Sequence, residues 1–123
     1  MFRDGIALLV VAAAAFTSAG VASASSSYDG RWSVLIQTDR GSCDQAYRYG
    51  LKIVNGNVTY AGDSGFDIRG RVSGNGSVHV RVSNGAAYAD GHGRLSSSSG
   101  SGAWRGFGSG GACSGRWSAD RRG

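Results

Sequence analysis

The chain has 123 residues, of which 22 are glycine and none is proline, and its 13 basic and 8 acidic side chains give a formal net charge of +5. This length accommodates one domain, and the lack of proline excludes a proline-rich disordered tract. Two cysteines and two distant histidines show no zinc-binding spacing. A basic surface favours anionic partners such as polysaccharide, lipid head groups or acidic proteins, but ordinary solvation explains it equally well.

Residues 1–24 have the pattern of a secretory signal peptide. A short charged start precedes the apolar run 6–16, and Ala22-Ser23-Ala24 matches the small-residue pattern of a cleavage site. The run is shorter than the about 20 residues that a membrane-spanning helix needs. We therefore expect a periplasmic or secreted protein, cleaved after Ala24, with a single domain over residues 25–123 and no transmembrane segment. An uncleaved anchor is the alternative.

The remaining chain alternates apolar and polar residues in short runs between turn signals, which is typical of antiparallel strands. No segment of this region has the apolar spacing of a helix. The runs begin near Trp32, Tyr47, Val58, Phe66, Val78, Tyr88, Ala103 and Cys113. They predict an all-β fold, an antiparallel meander of about eight short strands.

Asparagine-glycine pairs stand between several of these runs, at Asn55-Gly56, Asn75-Gly76 and Asn84-Gly85. Asn-Gly is the strongest short signal for a two-residue type I′ hairpin, because both central residues need a positive φ. A serine-rich stretch, residues 96–100, predicts a further connection. These turns favour strands that pair with their neighbours in sequence.

The tetrapeptide Gly-Arg-Trp-Ser occurs twice, at residues 30–33 and 115–118. If the first strand pairs with the last, the meander closes into a small up-and-down barrel and the two copies lie on neighbouring strands. Cys43 and Cys113 then meet at one barrel end and form a disulfide. An open two-sheet sandwich and two free thiols are the alternatives.

Strand direction predicts an aromatic cluster at the other barrel end. Its members are Trp32, Trp104 and Trp117, with a late arginine, Arg116, Arg121 or Arg122, over an indole face. A lid on the core and a platform for ligand stacking are both compatible with this cluster.

Gly30-Arg31-Trp32, with an arginine near the C-terminal end, resembles the signature of the calycin group, which comprises lipocalins, avidins and small bacterial metalloprotease-inhibitor barrels. In that group the tryptophan closes one barrel end and packs against a late arginine. The resemblance implies these parts for Trp32 and for Arg121 or Arg122. It also implies an alternative function as a periplasmic protease inhibitor.

Nearly the whole of residues 25–123 resembles a set of small secreted alphaproteobacterial proteins that are often labelled as exoproteins of haem utilization or adhesion. The segments that carry this resemblance are YDGRWSV, TDRGSCDQAYRYG, GFDIRGRVSGNG, GSGAWRG and CSGRWSADRR. It implies haem as a possible cofactor, which would need an apolar slot and a histidine or tyrosine ligand. The candidate ligands are Tyr47, Tyr49, Tyr60, Tyr88, His79 and His92.

Side chains about fill the interior of a small eight-stranded barrel, so we expect a site at the open end or on the surface. Core or rim tyrosines and exposed histidines explain the same six residues. The chain lacks glutamate and the common catalytic motifs, and its aspartates are scattered over turns, which predicts a non-enzymatic protein. Arg-Gly dipeptides with aromatic residues are typical of nucleic-acid binding, but the export signal argues against it.

We therefore expect a monomeric binding protein for a small ligand or an anionic envelope component. The alternatives are a protein-interaction module and a structural or adhesion protein of the envelope.

Overall fold

The computed structural model describes residues 27–62 and 66–123, and the predicted signal peptide lies outside the described residues. The described part of the chain contains no α-helix; it begins with a short 3₁₀ turn at Ser27 and Tyr28 and continues as eight strands. The strands are β1 (Gly30–Arg40), β2 (Ala46–Val54), β3 (Asn57–Tyr60), β4 (Asp67–Val72), β5 (Ser77–Asn84), β6 (Ala87–Leu95), β7 (Ser99–Gly108) and β8 (Gly111–Arg121).

These strands form one closed antiparallel barrel in which each strand pairs with its neighbours in sequence and β1 pairs with β8. The predicted up-and-down barrel is confirmed, and the alternative of a two-sheet sandwich is wrong. Closure gives every strand two partners, so that no strand of the barrel presents an unpaired edge. The β1–β8 ladder is regular except for a register shift between Thr38 and Arg40.

The three asparagine-glycine pairs all lie at hairpin connections, but they differ in backbone geometry. Asn55 and Gly56 have φ values of 52° and 79°, which fits the type I′ turn predicted there. In the Asn75-Gly76 pair only the glycine has a positive φ, and Asn84 is the last residue of β5, so that Gly85 and Ala86 make that turn. The neighbour pairing is confirmed, whereas the type I′ geometry is confined to the first pair.

Alternation along each strand turns apolar side chains into the barrel and polar ones outward. The packed core occupies the end where β1 begins and β8 ends, and we call this the closed end. Its buried side chains include Trp32, Ile53, Val58, Val72, Val78, Leu95 and Ala119. The opposite end, which we call the mouth, carries the β1–β2, β3–β4, β5–β6 and β7–β8 connections.

The two Gly-Arg-Trp-Ser copies lie on neighbouring strands, as predicted, but at different heights in the barrel. Trp32 pairs with Arg121 at the closed end, whereas Trp117 pairs with Ile36 nearer the mouth. The copies are therefore offset along the β1–β8 ladder.

A disulfide joins Cys43 in the β1–β2 connection to Cys113 near the start of β8, and it confirms the predicted pairing. The Cys43 backbone N–H also lies 3.1 Å from Cys113 Sγ. A second contact joins the same two strands, β1 and β8, because the Arg116 guanidinium donates to both carboxylate oxygens of Asp39, each at 3.0 Å. This contact lowers the pKa of the Asp39 carboxyl.

Candidate functional site

A cavity of about 450 Å³ extends from the mouth into the barrel. Trp32, Ile53 and Leu95 are among the packed side chains at its floor. Its volume lies within the range of about 300–1,000 Å³ that is usual for small-molecule sites. The sequence predicted an interior filled by side chains, so the cavity is a correction, and its physical reason lies in the glycines described below.

Apart from the tyrosine hydroxyls, the polar side chains that line this cavity within residues 27–62 and 66–123 lie at its mouth. Asp44, from the β1–β2 connection, contributes the one carboxylate among the lining residues that the structure describes. No polar or charged side chain is buried anywhere in the described part of the chain. The other polar lining residues at the mouth are Thr38, Ser42, Ser83, Asn84 and Ser109.

An aromatic cluster on β2, on β3 and just before β4 forms one wall of the cavity, where Tyr47, Tyr49 and Phe66 line the space and Tyr60 packs against two of them. The Tyr49 ring stacks on Phe66 at a centroid distance of 6.2 Å and an interplanar angle of 9°. Tyr60 meets both rings edge-on, at 6.1 Å from Tyr49 and 5.5 Å from Phe66. Tyr47 lies 5.8 Å from Tyr49 and is 44% exposed at the mouth. We call these four residues the tyrosine wall.

Burial in this wall changes the acidity of its phenols. Desolvation raises the pKa of Tyr49 to about 12, and the neighbouring Tyr47 and Tyr60 add to the shift. Desolvation also raises the pKa of Tyr47, with a further contribution from the Asp44 carboxylate. Both side chains are therefore neutral hydrogen-bonding groups at physiological pH.

The opposite wall, on β6, β7 and β8, is made of glycines and two indoles, and we call it the indole wall. Along one cross-strand row Trp117 is followed by Gly102 and Gly93, and its indole extends over both glycines. In the next row Trp104 lies between two glycines, Gly91 and Gly115. Glycine has no side chain, so each row leaves room for an indole against the backbone.

Hydrogen bonds to backbone carbonyls hold both indoles in place. Trp117 Nε1 donates to the His92 carbonyl oxygen at 3.2 Å, and Trp104 Nε1 donates to the Gln37 carbonyl oxygen at 3.0 Å. Since both N–H groups are already bonded within the barrel, what the wall offers to a ligand is ring surface.

The closed end is sealed around Trp32. Its Nε1 donates to the Tyr28 carbonyl oxygen at 2.9 Å, and the Arg121 guanidinium carbon lies 5.5 Å from the centre of its ring. Arg121 also donates to the carbonyl oxygens of Ser27, Asp29 and Ser97. The late arginine over Trp32 is thus Arg121.

The predicted tryptophan cluster is divided in the structure. Trp32 and Arg121 lie together at the closed end, whereas Trp104 and Trp117 form the indole wall farther toward the mouth. The cause is the register, in which Trp117 pairs with Ile36 and Trp104 pairs with Gly115.

The six predicted ligand-binding residues also separate into two groups. Tyr47, Tyr49 and Tyr60 belong to the tyrosine wall. His79 and His92 pair with each other across β5 and β6 and are exposed on the outer face. Tyr88 points outward by alternation along β6 but also lines the rim of the cavity, with the Arg81 guanidinium 4.4 Å from its ring centre.

Sequence reasoning missed Phe66 and Gly91 as lining residues and assigned Trp104 and Trp117 to the wrong height. A signal for Phe66 was present, since it begins an alternating run whose next apolar member, Ile68, is buried. The signal for the indole wall was also present, because glycines recur at every second position around Trp104.

Comparison of the chain with protein-family models, curated proteins and solved structures finds no match. No helix among the described residues is long and apolar enough to cross a membrane. Over residues 27–62 and 66–123, no three histidine, cysteine or acidic side chains are close enough together to bind a metal ion.

Proposed function

We propose that this protein is a non-enzymatic binding protein that holds one small, mainly apolar molecule inside its barrel. The observation that carries the proposal is the cavity of about 450 Å³, which has a mainly apolar lining, a packed floor and polar groups at its mouth. This combination of apolar walls with a few polar groups is typical of small-molecule sites.

An unfilled cavity makes the folded state less stable, and this loss supports a functional reason for the cavity. Empty apolar space forfeits packing contacts and lowers the free energy of unfolding. Side chains could fill this space, because a Cβ on Gly91 would meet no atom closer than 3.6 Å. A barrel selected for stability alone would place a larger residue there.

A cavity-filling substitution tests the proposal. Gly91→Leu places a branched side chain in the cavity, and we expect it to weaken binding of the neutral fluorescent probe 1-aminoanthracene by about tenfold or more. Gly50→Leu is the matched control, because Gly50 lies on the outer face of β2 and a Cβ there has 3.7 Å of clearance. Fluorescence titration gives both dissociation constants.

Saturable binding at one equivalent, lost in Gly91→Leu and kept in Gly50→Leu, supports the proposal. Equal binding by the two variants would place the probe outside the barrel and contradict it. Failure of the unaltered protein to bind this probe or any uncharged apolar molecule of similar size would contradict it as well.

Haem is the named candidate that the sequence resemblance supplies. The position of Tyr49 in the cavity wall supports it, but the raised pKa of this phenol opposes the phenolate form that binds ferric iron. A haem titration of the protein and of Tyr49→Phe decides the matter. A Soret shift at one equivalent that Tyr49→Phe abolishes would assign haem; an unchanged shift or none would exclude Tyr49-ligated haem.

Export belongs to the same proposal. The signal-peptide pattern of residues 1–24 supports it, and a disulfide is compatible with an oxidising compartment. Determination of the N-terminal residue of the protein from the producing cell tests it, and Ser25 is the expected first residue.

A further inference from the structure

We propose, on the basis of the proposed function, that the molecule held in the cavity is a flat, uncharged ring system that lies between the indole wall and the tyrosine wall. The proposal rests on the shape and chemistry of these facing walls, and it names a ligand class within the wider set of apolar molecules.

The indole wall presents a flat surface. One face of the Trp117 indole lies against the backbones of Gly93 and Gly102, where an added Cβ would come within 2.7 Å of the indole ring. Trp117 also lines the cavity. The bond from Nε1 to the His92 carbonyl fixes this orientation, so the surface is formed before any ligand binds.

The tyrosine wall presents a second set of rings across the cavity. Tyr49 and Phe66 are parallel within 9°, and both line the cavity. Aromatic rings favour offset-stacked and edge-to-face contacts with other rings, each worth more than the apolar area that it buries. Both walls therefore offer ring contacts to a flat conjugated molecule, whereas a flexible aliphatic chain has no ring with which to make them.

The lining also excludes charge from the buried part of the ligand. Among the residues that the structure describes, no charged side chain lines the cavity below the mouth, and an unpaired charge placed there would lose its hydration without compensation. The Asp44 carboxylate at the mouth opposes anionic groups in particular. A neutral hydrogen-bonding substituent fits beside Ser42 and Ser109, since both residues line the mouth.

Calorimetric titration with three ligands tests this inference. The ligands are 9-phenanthrenemethanol, a linear alcohol matched to it in octanol–water partition, and phenanthrene-9-carboxylate. We expect the flat alcohol to bind about tenfold more tightly than the linear one, from two or more ring contacts. We expect the carboxylate to bind at least about tenfold more weakly than the flat alcohol.

The outcomes separate the two proposals. If both alcohols bind with equal affinity, or the linear one binds more tightly, the cavity is a general apolar site; the flat-ligand proposal fails and the proposed function stands. If neither alcohol binds, both fail. Tight binding of the carboxylate would overturn the claim that the ligand is uncharged.

A pair of variants assigns the preference to the indole wall. Trp117→Leu removes a ring from the cavity, and Val54→Ala shortens an exposed apolar side chain of β2 that does not line the cavity. We expect the ratio of the two alcohol affinities to fall several-fold in Trp117→Leu and to stay constant in Val54→Ala. A constant ratio in both would contradict stacking on Trp117. The comparison of ligands on the unaltered protein stands even if Trp117→Leu fails to fold.

Discussion

Tyr49 is the residue whose chemistry the barrel changes most clearly. Its ring lies between Phe66, Tyr60 and Tyr47 in the cavity wall, and burial raises the pKa of its phenol to about 12. The ring therefore serves the cavity as an apolar surface with a neutral hydroxyl group. Ionisation would place a negative charge among aromatic rings, away from water.

This shift gives the protein a defined sensitivity to alkaline pH. The unfolded chain releases the Tyr49 proton near its ordinary pKa of about 10, whereas the folded protein keeps the proton until about pH 12. Between these values the unfolded state binds fewer protons, so the free energy of unfolding falls as the pH rises from 10 to 12. Near-ultraviolet phenolate absorbance should show a late titration step that Tyr49→Phe removes.

Tyr88→Phe is the matched control, because that ring points outward at the rim. The late step should persist in this variant. Persistence of the late step in Tyr49→Phe would contradict the assignment.

At the scale of the strand, β6, β7 and β8 are unusual because their inward positions carry so few side chains. Gly102 lies directly between Trp117 and Gly93 in a cross-strand row, so that an indole from β8 reaches across β7 to β6. A glycine within a strand usually weakens the strand, because it has no side chain to pack and loses more backbone entropy on folding. Here the indoles recover packing against the bare backbone.

Two alanine substitutions on neighbouring strands compare a glycine whose added Cβ would overlap its neighbours with a glycine whose added Cβ would make ordinary contacts. A Cβ on Gly102 would overlap the His92 carbonyl oxygen and lie 2.7 Å from Trp117 Nε1, so Gly102→Ala should lower the free energy of unfolding by about 1–3 kcal/mol. A Cβ on Gly91 meets nothing closer than 3.6 Å, so Gly91→Ala should raise it by up to about 1 kcal/mol.

Urea unfolding measures both values. Equal effects of the two substitutions would contradict the difference in clearance between Gly102 and Gly91.

For the whole molecule, the decisive feature is the seam where β1 meets β8. The chain must bring its first and last strands together, and a disulfide holds them across 70 residues of sequence. By the chain-entropy model, a cross-link over a loop of this length stabilises the folded state by about 4 kcal/mol. Cys43 also lines the mouth, so the bond holds the β1–β2 connection over the cavity.

Replacing both cysteines with serine should therefore lower the free energy of unfolding by about 4 kcal/mol. Urea unfolding of this variant, beside the unaltered protein with and without a reductant, measures the effect. The reduced protein should match the variant. A loss below about 1 kcal/mol would show that the β1–β8 ladder closes the barrel without the cross-link.

The sequence predicted the barrel because several independent signals agreed on it. Alternation gave the strands, the pairs such as Asn55-Gly56 gave the hairpins, and the positions of Cys43 and Cys113 agreed with a first strand that pairs with the last. Each of these signals depends on local spacing or on chain order.

The cavity could not be predicted in the same way. Whether an inward position is filled depends on which side chains meet across several strands, and thus on register. A one-residue difference in register turns a side chain to the other face, and Trp117 lies beside Ile36 because the same register pairs Trp32 with Arg121. The exposure of His79, by contrast, depends only on alternation within its own strand, and alternation predicts its outward position.

The sealed floor beneath the cavity has a kinetic consequence. If the barrel holds a ligand as proposed, the ligand should enter and leave by the mouth, because Trp32 and Arg121 close the other end. A second molecule cannot push past the first in a space of this size, so exchange begins with departure of the occupant. The rate of displacement should therefore equal the dissociation rate of the bound molecule and be independent of competitor concentration. The lifetime of the complex would then be a property of the barrel and not of the surrounding ligands.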